Sequence, residues 1–84
     1  MQEEIRQSIR EIARARGLEK SLCPSEVARA LAEDWRPLMP MVREVAAEEV
    51  KVGLLRVTQG NREVDPVEAH GPIRLRATSK LLNQ

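Results

Sequence analysis

Eighty-four residues, 42% hydrophobic and 32% charged, make one domain and leave no room for a second core. A single cysteine excludes an internal disulfide and a cysteine-based zinc site. A formal net charge of +1 is not that of a strong nucleic-acid binder.

Ile5, Ile9, Ile12 and Ala13 form one apolar helix face, and Gly17 follows as a stop. The spacing predicts a first helix over Gln2 to Arg16. Arg6, Arg10 and Arg14 make a like-charge ridge on it, read as a solvated face whose long stems cover apolar surface. The functional reading of that ridge is a surface for an acidic partner or a phosphate backbone. Cys23-Pro24-Ser25-Glu26 opens a second helix: Pro24 suits N1, Cys23 stands at the N-cap and Glu26 at N3. Cysteine is a poor cap, so the capping box is half made. Val27, Ala28, Ala30 and Leu31 face inward, and Asp34 ends the helix.

Trp35, the only aromatic residue, falls between this helix and the next and is read as a core plug rather than a base-stacking platform. A tight turn at Pro37 leads into a third helix from about Pro40. Its core face is Val42, Val45, Ala46 and Val50, and Gly53 stops it. Arg36, Pro40, Arg43, Glu44, Ala47, Glu48 and Lys51 face out.

The period then becomes two. Leu55 to Thr58 alternates, and Gly60-Asn61 is a hairpin signal. Pairing Gln59 with Arg62 sets Thr58 opposite Glu63, Val57 opposite Val64 and Arg56 opposite Asp65. Val67 to Pro72 reads as a loop, Ile73 to Arg76 as a last short strand, and residues 77–84 as a flexible C-terminal tail.

The expected fold is α+β and mostly α. It is a winged helix-turn-helix of three helices and a small antiparallel β-hairpin or sheet, occupying residues 1–76. A domain this small buries only about 60–65% of its unfolded surface, so homodimerisation is a further expectation. The N-terminal residues carry no secretory leader pattern, and no apolar stretch is long enough to span a bilayer. A soluble cytoplasmic protein without membrane attachment is expected.

The run from Leu22 to Arg76 also resembles a known family. The residues that carry the likeness are Cys23 to Ala28, Asp34-Trp35-Arg36, Leu38-Met39-Pro40, Val42-Arg43, Val57-Thr58-Gln59, Val64-Asp65-Pro66 and Gly71 to Leu75. They resemble small bacterial proteins grouped as domain of unknown function three-two-five-three. The resemblance implies a winged-helix-like fold; it brings neither an activity nor site residues.

The leading functional expectation is a DNA-binding, transcription-regulatory module for double-stranded DNA. Positions 51–84 hold six Lys and Arg against three acids, whereas 1–50 hold eight against ten, so the wing is the basic end. The third helix of such a unit enters the major groove. Arg36 and Arg43 would read bases from it, with Gln59 or Asn61 from the wing. Arg62 and Arg74, with Arg56 and Arg76, would hold phosphates. Glu44 and Glu48 on the same helix oppose this. The alternative is a docking module for another protein, on a mixed-charge face with Met39, Met41 and two prolines. An enzyme is not expected. Cys23 and His70 are the one conceivable nucleophile and base, no orienting partner for them is evident, and no cofactor or metal set is present in the sequence.

Overall fold

The computed structural model describes residues Met1–Gln84. In chain order it contains α1 (Gln2–Arg16), α2 (Pro24–Leu31), a 3₁₀ turn (Arg36–Leu38), α3 (Met39–Lys51), β1 (Leu55–Gln59), β2 (Arg62–Glu63), β3 (Arg74–Ala77) and α4 (Ser79–Leu82). The fold is α+β, with a three-stranded antiparallel sheet in the order β2-β1-β3. Beyond β3, Leu22 and Leu75 exchange two main-chain hydrogen bonds of 2.8 Å. This bridge ties the segment between α1 and α2 to the sheet. The arrangement is compatible with a winged helix, in which residues 59–73 form the wing.

Local chemistry explains most boundaries. Gly17 adopts φ 78°, a left-handed value that glycine takes at little cost. At the start of α2 the Glu26 carboxylate accepts the Cys23 N–H at 2.8 Å. It also pairs with Arg16 at 2.5 Å, which joins the end of α1 to the start of α2. Arg16 first, then the Cys23 N–H, holds the Glu26 carboxyl below its ordinary range. The helix ends at Leu31 rather than Asp34, because Ala32 turns extended at φ −154°. Gly60 has φ 63°, and no non-glycine residue is positive. That sign pattern fits a type II′ turn at Gly60-Asn61. The register matches the sequence reading: Thr58 faces Glu63, Gln59 faces Arg62, and Val64 N–H donates to Val57 O at 3.0 Å.

The core holds 16 buried apolar side chains, none aromatic, drawn from the four α-helices, from β1 and β3, and from Leu22, Leu54 and Ile73 in the connections. Three sequence expectations fail here. Residues 77–84 are not a loose tail. Thr78 caps α4 by accepting the Leu81 N–H at 3.3 Å, and Leu81 is completely buried. Arg56 does not meet Asp65. The Asp65 carboxylate accepts the Val67 N–H at 2.8 Å, an Asx turn that competes for it, and Arg56 lies 3.5 Å from Glu63 instead.

The third failure concerns the joint between α1 and α3. Val50 is 38% exposed, and Glu49, at 2%, takes the core position expected of it. Glu49 accepts two hydrogen bonds from Arg10, at 2.7 and 3.0 Å, and Arg6 Nε lies 3.3 Å away. Arg6 also pairs with Glu3 and Glu48. The like-charge ridge therefore turns into α3 rather than into solvent, except for exposed Arg14. Hydrogen bonding to Glu49 raises the Arg10 guanidinium above its ordinary value.

A buried carboxylate that loses its partner is costly, about 3–5 kcal/mol in buried pairs. Arg6 retains part of the compensation, so Arg10→Met should cost about 2–3 kcal/mol. Adding Glu49→Leu should restore most of that loss, because the charge that needed pairing is gone. Urea midpoints of the single and double variants check the order.

Candidate nucleic-acid interface

Six side chains were expected to meet DNA, and the fold separates them into two groups. Arg43, half-buried on α3, donates to three main-chain carbonyls: Pro66 at 3.1 Å, Ala69 at 2.8 Å and Gly71 at 2.8 Å. Gln59 Nε2 donates to the carbonyls of His70 at 2.6 Å and Pro72 at 3.1 Å. Arg74 donates to Ser21 Oγ at 2.8 Å and to Cys23 Sγ at 2.7 Å. These three donor sets are occupied within the fold. Arg43 and Gln59 serve the wing, whose loop carbonyls lack partners in the sheet; Arg74 serves the entry to α2. Arg76, offered for phosphates, likewise donates to Leu18 O and Glu19 O, at 3.4 and 3.1 Å.

Arg36, Asn61 and Arg62 form the second group. All three are exposed, and their side chains make no hydrogen bond or ion pair within the chain. Asn61 and Arg62 sit at the hairpin tip, and Arg36 begins the 3₁₀ turn before α3. Glu48, expected beside them, is drawn toward α1 by Arg6; Glu44 stays exposed on α3.

Trp35 is neither a sealed plug nor an open platform. It is half-buried and packs against the core. The guanidinium carbons of Arg29 and Arg36 lie over its ring, 4.5 and 4.6 Å from the centroid. Such contacts are worth about 0.5–1 kcal/mol each at exposed sites. Sequence reasoning missed Arg29. Its one signal is its place in the last turn of the helix that precedes the tryptophan, and that says nothing about which way the loop folds back.

Three surface concavities accompany these residues. The largest, about 460 Å³, lies between α1 and the end of α2, and Glu3, Glu4 and Glu11 line it. That acidic edge repels phosphate. A second, about 340 Å³, lies between α3 and the wing loop and is lined by Met39, Pro40, Val67 and Ala69 with Arg43 and Glu44. The third, about 120 Å³, lies where Cys23 and Pro24 meet Pro72 and Ile73. Cys23 has Arg74 as its partner, whereas His70 is exposed and contributes its carbonyl to Gln59. No helix is long and apolar enough to cross a membrane.

Removing the Arg43 fork should loosen the wing while sparing the core. Arg43→Ala is expected to cost about 1–2 kcal/mol and to accelerate amide exchange at Ala69, with the Val64 amide little changed. Arg43→Lys should not rescue it, since one ammonium cannot reproduce the planar fork. Site-resolved hydrogen exchange measures both. Among known proteins, no curated sequence matches this chain. A family model described as protein of unknown function (DUF3253) matches residues 2–78. The chain belongs to that family.

Proposed function

We propose that the protein binds double-stranded DNA mainly through backbone phosphates, with little reading of base edges. The observation that carries this reading is which arginines lack a hydrogen-bonding or ionic partner in the chain. Arg36 stands before α3, the helix that enters the major groove in helix-turn-helix readers, and Arg62 stands at the tip of the wing. Both are exposed and neither meets a carboxylate. With Arg43 and Gln59 engaged by the wing loop, two of the four side chains expected to read guanine and adenine are occupied, and only Arg36 and Asn61 remain free. Contacts to phosphate position a protein without conveying sequence. The displacement of Glu48 toward α1 removes one of the two acids that opposed this function.

A second reading rests on the groove between α3 and the wing loop, where Val67 is 54% exposed beside Met39 and Pro40. It favours docking of another protein, or of a second copy of the chain.

A salt series on a random-sequence duplex separates the two. Two to three phosphate contacts should give a log–log slope of roughly −2 to −3. Arg62→Ala should flatten that slope by about one unit and weaken all sequences alike. No binding at about 50 mM salt, where phosphate contacts are strong, would exclude the DNA reading and leave the groove as the functional surface.

A further inference from the structure

We infer that Arg29, Trp35 and Arg36 form a phosphodiester-binding anchor at the corner between α2 and α3; this deepens the DNA-binding reading and rests on it. The two arginines come from different elements, the last turn of α2 and the 3₁₀ turn, yet both guanidinium groups lie against one indole, at 4.5 and 4.6 Å. Stacking uses the flat face of a guanidinium and leaves its N–H edge free. Neither side chain has a hydrogen-bonding or ionic partner in the chain, whereas Arg6, Arg10, Arg16, Arg43, Arg56, Arg74 and Arg76 all have one.

The indole thus holds two cations whose donors point nowhere within the fold. An exposed arginine ordinarily loses side-chain entropy when it binds, and a stacked one has lost much of it beforehand. The donor geometry matches phosphate oxygens, which a guanidinium fork binds in bidentate fashion. Trp35 is half-buried with arginines over its ring, so it acts as the platform for the cations and not for a base. Glu33 and Asp34 lie exposed in the same turn and limit the local excess of positive charge. The anchor should therefore be sensitive to salt and weak when alone.

Trp35 is also the only fluorophore, since the chain has no Tyr and no Phe. The test titrates the full chain with a short random-sequence duplex, following labelled-DNA anisotropy and Trp35 emission together. Emission should change in step with binding. Arg29→Gln, an exposed position whose loss spares the core, should weaken binding about five-fold at ~100 mM salt and flatten the salt slope by about one unit. Trp35→Leu should weaken binding with every charge retained; circular dichroism and a urea midpoint establish that it folds. If the duplex binds but Arg29→Gln changes neither affinity nor slope, the anchor is wrong and the DNA-binding reading survives. If no duplex binds, both fall. If polyglutamate displaces the duplex at equal charge concentration, the corner is a site for acidic protein and the phosphodiester assignment is overturned.

Discussion

A carboxylate placed in the core of a domain this small must be paired, and that requirement sets the geometry of the helical half. Glu49 is 2% exposed, and an uncompensated charge there would cost a large share of the 5–15 kcal/mol that usually holds a domain together. Arg10 meets it with two hydrogen bonds, and Arg6 approaches from one turn earlier on α1. The crossing of α1 and α3 thus satisfies a charge as well as burying apolar surface. α1 in turn reaches α2 through Arg16 and Glu26. Without Phe or Tyr, the core alone supplies few large side chains to lock these crossings.

Arginine does the same work on the other side of the molecule, with main-chain carbonyls in place of carboxylates. Residues 64–73 have little sheet pairing, which leaves main-chain carbonyls without donors from a ladder. Arg43 satisfies three of them and Gln59 two more. The wing is therefore held against α3 by side chains that a sequence reading assigns to DNA. What remains outward is a smaller set, with Arg36 and Arg29 at the α2–α3 corner and Arg62 at the hairpin tip. A chain with net charge +1 presents its positive charge by position, not by excess.

Much of the fold was legible because it rests on local rules. The 3.6-residue period gave α1 its limits, Pro24 and Glu26 marked the start of α2, and the Gly60-Asn61 turn set a register that pairs Thr58 with Glu63. The candidate site was far less legible. Whether Arg43 faces a groove or a loop depends on where a ten-residue excursion of the wing returns, and no periodicity encodes that. Val50 is the core position that apolarity and period point to, and a carboxylate with a partner on another helix takes its place. Leu81 was missed for a related reason: one turn of helix has no period, and only its fit against the core fixes it.

The central claim is that the arginines divide into those held inside the fold and those left free. An NMR spectrum of the arginine Nε–H groups tests it directly. Nε of Arg10 donates to Glu49 at 2.7 Å and that of Arg74 to Ser21 Oγ at 2.8 Å. Their signals should be dispersed and protected from exchange with water, while those of Arg14 and Arg62 should be averaged and fast. A spectrum in which all the arginines are averaged and fast alike would contradict the account.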